Sequence, residues 1–230
     1  MRPKLIPILI SGLPLGLIVL GAIAMWLYFN DGSDVVEPSA EMGAILRREI
    51  SAAEIDRYSD IFSDVLGPRS PDDPAALRRT ANYLESTLGP RNLGYAVFRS
   101  APGEEDTVVA YQRGGDRPRE VVIVAAPYSA EPHHLGERSA ALALLMTVAG
   151  AKTGTFVDRS IAFVLTPAAV VNRDSAQRAA LEAMHLAGTG VVVALLVPGP
   201  DLAVPAAAPT PEDAEGWASA IAKFANAREH

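Results

Sequence analysis

The sequence predicts an α/β chain, a three-layer α/β/α sandwich on a mixed, mostly parallel sheet, preceded by one transmembrane helix. Three observations carry this expectation. A charge-free apolar run fills residues 5–29. Residues 121–126, 160–165 and 190–197 are nearly continuous apolar runs, the composition of strands buried on both faces. Helical stretches at 139–150 and 175–187 lie between these runs, and such alternation marks helices packed across a largely parallel sheet.

The composition sets the outer bounds. Of 230 residues, 49% are apolar and 20% charged, which excludes a disordered polyelectrolyte and suits one medium domain with an apolar appendage. The expected organisation is a cytoplasmic N-terminus at 1–4, the membrane helix at 5–29, a tether at 30–40 and an exported domain at 41–230. Twenty Lys and Arg stand against 27 Asp and Glu, for a net charge of −7. With no basic block beyond the first four residues, the chain lacks the footprint of nucleic-acid binding. Cysteine is absent, which removes disulfides, thiol nucleophiles and thiolate metal sites.

At a rise of about 1.5 Å per residue, residues 5–29 reach roughly 37 Å as a helix, enough to cross a hydrocarbon core of about 30 Å with tilt. Pro7, Gly12, Pro14 and Gly16 loosen its first half, which a partner helix would compensate. Arg2 and Lys4 precede the run while Asp31, Asp34 and Glu37 follow it, so the N-terminus is expected in the cytoplasm and the rest in the periplasm or outside the cell. Ala22-Ile23-Ala24 also resembles a signal-peptidase site. The apolar run continues past it, however, and Trp26 with Tyr28 supplies the interfacial aromatic belt of a retained anchor.

Past the tether, Ser51-Ala52-Ala53-Glu54 is a capping-box pattern, followed by Ile55, Tyr58, Phe62 and Val65 at helical spacing and a stop at Gly67-Pro68. Asp73-Pro74 opens a second helix with Leu77, Ala81, Leu84 and Leu88 on one stripe. Residues 93–99 and 107–113 are β-prone and flank Pro102-Gly103, which suggests a hairpin. After the three apolar runs comes a Pro- and Ala-rich loop at 198–209. Thr210-Pro211-Glu212-Asp213 then starts a last helix, with Trp217, Ile221 and Phe224 on its inner stripe. Trp217 and Phe224 are core residues if that helix is covered and a partner contact if it is exposed.

Gly67-Pro68-Arg69, residues 75–84 (AALRRTANYL), Leu93-Gly94-Tyr95, Thr107-Val108-Val109-Ala110 and residues 120–126 (EVVIVAA) resemble, in their order and spacing, the opening of the co-catalytic di-zinc aminopeptidase family. That family also contains glutaminyl cyclases and protease-like receptor domains that have lost catalysis. The resemblance runs from about residue 66 to 197. It implies five metal ligands, sought here position by position. Pro127, in Ala126-Pro127-Tyr128-Ser129, stands where the family has its first histidine. Leu135-Gly136-Glu137-Arg138-Ser139-Ala140 replaces the stretch carrying the bridging aspartate, with Gly136 at that position and Glu137 the only relic. Ala168 and Ala169, in Thr166-Pro167-Ala168-Ala169, replace the glutamates that act as base and ligand. Asp201 lies near the later aspartate but out of register, and the last histidine has no counterpart.

A catalytic zinc needs about three protein ligands and an open position, and a pair needs a bridging carboxylate as well. The resemblance therefore implies a pseudoenzyme without cofactor. His133 and His134, with Glu137, are the weak candidates for an improvised metal site, although adjacent imidazoles rarely aim at one ion. Ser129 and Ser139 lack a Gly-x-Ser-x-Gly elbow. The expected function is a non-catalytic, membrane-anchored scaffold or accessory subunit of a membrane protein complex, with the lipid bilayer and other subunits as partners. The alternatives are a membrane-anchored metal-dependent peptidase with an atypical site, or a peptide-binding protein.

Overall fold

A computed structural model describes residues 45–100, 106–205 and 208–226. The segments read as cytoplasmic N-terminus, membrane helix with Trp26 and Tyr28, and tether lie outside the described residues, as does the Pro102-Gly103 turn. Among the described residues no helix is long and apolar enough to cross a membrane.

Helix α1 (Ala52–Asp60) starts where the Ser51 hydroxyl accepts the Glu54 N–H at 3.3 Å. The other half of the capping box is open, because the Glu54 carboxylate turns to Arg48 and Arg57. The helix then widens into a π-turn at Ile61–Val65. That turn explains one departure from the predicted stripe. Ile55, Tyr58 and Phe62 are fully buried, but the wider turn rotates Val65 out to 75% exposure. In α2 (Pro74–Leu88), Asp73 accepts the Ala75 and Ala76 N–H groups, and Leu77, Ala81, Leu84 and Leu88 face the core as expected.

Five strands form one sheet in the order β1-β2-β4-β3-β5: β1 (Ala96–Arg99), β2 (Val108–Gln112), β3 (Arg117–Pro127), β4 (Arg159–Thr166) and β5 (Val191–Leu196). β1–β2 and β2–β4 are antiparallel, β3–β4 and β3–β5 parallel. The sheet is therefore mixed, with parallel pairing confined to the β4-β3-β5 half. The connection from β1 to β2 is too short for a crossover, whereas long crossovers join β3 to β4 and β4 to β5. β4 inserts between β2 and β3, so the tight β2–β3 turn passes under the first residue of β4. A Cβ on Gly114 would lie against the Arg159 carbonyl carbon and 2.5 Å from the Asp158 carbonyl oxygen, so only glycine fits there.

One face of the sheet (Val108, Ala110, Val122, Val124, Ala126, Ile161, Phe163, Leu165) joins a single core with α1, α2, α3 (Leu135–Lys152) and α5 (Pro211–Ala225). The alternate residues, including Val109, Val121, Ile123, Ala125 and Val164, are buried on the other face, where α4 (Arg173–Ala183) lies on Ala176, Ala180 and Ala183. Four helices, a sheet and one helix make the three layers.

Helix α3 is buried at every position from Ser139 to Gly150, as an apolar helix with no polar face must be. It begins four residues before the predicted 139 because the 3-10 turn Pro132–His134 feeds straight into it. Helix α4 stops short of the predicted 187, since His185 takes a left-handed conformation (φ 55°) just past its end. Strand β5 is an edge strand, which corrects its expected burial on both faces. Val191 is 59% exposed and Val193, at a register shift against β3, 36%. Helix α5 has the full capping box between Thr210 and Asp213.

Candidate functional site

Strands β3 and β4 end side by side, with Pro127 opposite Thr166 and the Tyr128 N–H donating to the Thr166 carbonyl at 2.8 Å. This carboxyl edge, together with the first turn of α3, is where the resemblance puts the metal ligands. Pro127 is buried at the end of β3 and offers no donor atom to an ion. Gly136 is exposed in the first turn of α3, and a Cβ added there would meet nothing within 4 Å. Crowding is thus not the reason that no carboxylate stands there. Ala168 and Ala169 follow β4 on a bend, where the Ala168 N–H donates to Thr166 Oγ1 at 3.3 Å.

The loop is held by a cation of the chain itself. Arg138 Nη2, from the first turns of α3, donates to the Ala169 carbonyl at 3.0 Å, so a guanidinium reaches across the sheet edge to the ligand position. A fixed positive charge there opposes a dication by plain Coulomb repulsion. Asp201 is engaged elsewhere, accepting from Arg173 at 2.7 Å and from the Val197 N–H at 2.9 Å. His133 and His134 are exposed beside the start of α3. The first imidazole is 3.4 Å from Glu131 and the second 4.0 Å from Glu137, so each histidine faces a different carboxylate. Among the described residues no group of three or more His, Cys, Asp or Glu side chains is placed to hold a metal ion.

Arg69, in the Gly67-Pro68-Arg69 stretch, does more than the sequence disclosed. Its side chain is fully buried, its Nε donates to the Tyr128 carbonyl at 2.8 Å, and its Nη1 serves the Gly67 carbonyl at 2.7 Å and the Phe62 carbonyl. Its backbone pairs with Ala130 through bonds of 2.7 and 2.9 Å. Among the described residues the guanidinium has no carboxylate partner, and burial pulls its pKa down to about 10. Arg69 thus ties the end of α1 to the segment after β3, which the resemblance marks as the first-ligand loop. An Arg beside Gly-Pro is the only trace of this in the sequence. Tyr128, in that segment, donates its hydroxyl to the Asp106 carbonyl at 2.7 Å, and burial pushes its phenol above the ordinary tyrosine range.

Beside this edge lies a cleft of about 1060 Å³ between α1 with its π-turn, the start of α3 and the loop before α5. Asp56, Asp60 and Glu137 line it together with Ser59, Ser63 and Ser139. The Ser59 and Ser139 hydroxyls are buried without a hydrogen-bond partner. No sequence motif announced it, because its walls come from segments about 65 to 150 residues apart. Trp217 is 3% exposed and its indole N–H donates to the Ala203 carbonyl at 2.7 Å, so of its two readings it takes the core one. Phe224 is partly buried against the same core.

No protein-family model and no curated protein sequence matches the chain. Among solved structures, the chain is similar to a glutaminyl cyclase from Fimbriiglobus ruber, at a TM-score of 0.50 and 16% identity over 66% of this chain and 62% of that one. It overlaps more loosely with the LapA aminopeptidase of Legionella pneumophila, at a TM-score of 0.49 and 18% identity over 68% of this chain and 44% of that one. The zinc aminopeptidase BSAP of Bacillus subtilis overlaps at 0.42 and 10% identity over 51% and 62%. The chain thus spans less than two thirds of the length of each of these proteins. The described residues have an α/β fold of the kind seen in that glutaminyl cyclase, built on a mixed five-stranded sheet.

Proposed function

We propose that this protein is a non-catalytic, membrane-anchored aminopeptidase-like domain, a scaffold or accessory subunit of a membrane protein complex on the periplasmic or extracellular side. The observation that carries this is the ligand edge itself. Proline, glycine and two alanines stand at positions 127, 136, 168 and 169, and Arg138 bonds the Ala169 carbonyl. Water activation by the family's chemistry needs a metal and a base at that edge, and these side chains offer neither. The anchoring half rests on residues 5–29 with Trp26 and Tyr28.

The test is metal analysis and thermal melting of the purified chain with added zinc. The expected result is substoichiometric zinc and an unchanged Tm, since a ligand stabilises only by binding the native state. Stoichiometric zinc, with peptidase activity abolished in His133→Ala, would instead establish the metal-dependent peptidase at His133, His134 and Glu137. Gentle detergent extraction should bring down companion chains, and a protein that runs alone as a monomer refutes the scaffold role. A second reading, peptide binding, is favoured by the cleft, whose three carboxylates and two unpartnered hydroxyls suit a basic peptide.

A further inference from the structure

The opposite end of the sheet has a different character. Here the Arg48 N–H donates to the Gly150 carbonyl at 3.1 Å, and the Arg47 side chain holds the Thr153 and Gly154 carbonyls at 3.1 and 2.8 Å. The Thr153 hydroxyl reaches the Leu93 carbonyl, Gly115 N–H the Val157 carbonyl, and Arg159 the Phe224 carbonyl at the end of α5. These bonds gather residues 45–48, 91–93, 112–117, 152–159 and the last turn of α5 at one end of the domain.

Two kinds of side chain collect there. Ile45 is 78% exposed and Phe156 73%, the latter lying over Gly115, while Val191 at the start of β5 is 59% exposed. Residues 45–49, 91–93, 112–120, 152–159 and the last turn of α5 carry Arg47, Arg48, Arg91, Arg113, Arg117, Arg119, Lys152, Arg159 and Lys223 against the acidic Glu49, Asp116, Glu120 and Asp158, with Glu120 already paired to Arg117 and Arg159. A chain of net charge −7 has therefore placed a cationic excess at this end, while the cleft end carries Asp56, Asp60 and Glu137. The chain also enters the described domain here, at Ile45. Residues 30–44, between the expected membrane helix and Ile45, span at most about 50 Å even when fully extended.

We propose that this end is a lipid-facing surface, with Phe156 and Ile45 entering the headgroup region of an anionic bilayer while Arg47, Arg113, Arg119 and Lys152 meet lipid phosphates. The proposal rests on the membrane anchor of the preceding reading. Cationic side chains near a negatively charged leaflet are attracted within a Debye length, and long basic side chains present a charged tip beyond an apolar stem. The cleft then faces away from the membrane.

The absence of cysteine makes the test clean. Full-length chain carrying Thr155→Cys, beside Phe156, is labelled with an environment-sensitive fluorophore and placed in nanodiscs of phosphatidylcholine alone or half phosphatidylglycerol, each with a spin-labelled quencher lipid. Val170→Cys, at the cleft end and 77% exposed, is the control. The expected result is several-fold stronger quenching at 155 than at 170 in the anionic discs. It should be lost in Arg113→Glu/Arg119→Glu, in Phe156→Ala, and at about 1 M salt, where the Debye length is about 3 Å. Equal quenching at the two labels, or quenching indifferent to lipid charge, overturns the proposal, including the case of a protein partner covering this end. Co-migration with the neutral discs reports the anchor separately. A chain that joins only anionic discs lacks the anchor but keeps the surface, and one that joins neither refutes both.

Discussion

Replacing Arg69 by methionine keeps most of the side-chain volume and removes the charge and the donors. Three carbonyls, of Phe62, Gly67 and Tyr128, lose their partner inside the protein. Bonds from a charged donor are worth about 1.5–3 kcal/mol each, so the gross loss is about 5–9 kcal/mol. Against this stands the relief of an unfavourable burial. Burial pulls the guanidinium from its ordinary value down to about 10, and at about 1.4 kcal/mol per factor of ten this corresponds to about 3 kcal/mol. The difference, about 2–6 kcal/mol, is what leaving two buried carbonyls without a partner costs at about 1–3 kcal/mol each. For a domain of this size 1 kcal/mol moves Tm by about 2–4 °C, so Arg69→Met should melt roughly 10 °C below the parent. Arg69→Lys, with a shorter reach and no planar fork, should fall between them. Circular-dichroism melts and urea midpoints measure both. A methionine variant as stable as the parent would show that the carbonyl bonds merely cancel desolvation, and the account of Arg69 as the tie between α1 and β3 would be wrong.

The two glycines of the β2–β3 turn should respond very differently to alanine. At Gly114 the new methyl meets backbone of Asp158 and Arg159, which cannot yield, so a loss of about 2–3 kcal/mol is expected. At Gly115 it meets only the ring of the exposed Phe156, which can swing away, so the change should stay within about 0.5 kcal/mol. Comparable urea midpoints for the two variants would contradict the threading of the turn beneath β4. A third expectation concerns acid. The Arg159 guanidinium hydrogen-bonds the Glu120 carboxylate at 2.5 Å and holds its pKa below the usual carboxylate range. Because the folded value lies below the unfolded one, the unfolded chain binds more protons between them and stability rises with pH there. The contribution is complete above the unfolded value of about 4.3 and disappears as pH falls through the folded one. Glu120→Gln should therefore flatten the acid side of a Tm–pH profile, and superimposable profiles would remove the pair from the account.

Local chemistry was legible wherever a residue acts on its near neighbours. Ser51, Asp73 and Thr210 cap the helices they were expected to cap, and the apolar runs around Val121 and Ile161 are central strands. Legibility fails where the outcome depends on which strand lies beside which. The run 190–197 is as apolar as the others, yet it is the edge, because burial on both faces is a property of sheet order and not of composition. Val65 sits at proper helical spacing and is exposed, since a single π-turn changes the period. Trp217 was legible only as a pair of alternatives, which the cover over α5 decided. The blanks at 127, 136, 168 and 169 needed only the residue letters. The grip of Arg138 on Ala169 and the buried fork of Arg69 needed three dimensions, because each joins segments more than 30 residues apart or points its donors at main-chain atoms that no sequence pattern marks.

The exposed border of β5 has a bearing on how the molecule keeps to itself. An apolar border strand with idle main-chain groups is a template onto which a stranger's strand can zip. On this border the Arg173 fork occupies the Leu195 carbonyl, and Asp201 occupies the Val197 N–H. The two side chains also grip each other, forming a clasp over the last third of the ladder. Zipping is left only the short, register-shifted stretch around Val193, too brief a run to seed a fibril or a runaway stack. Unfastening the clasp with Arg173→Ala/Asp201→Ala would turn a guarded hem into an adhesive one.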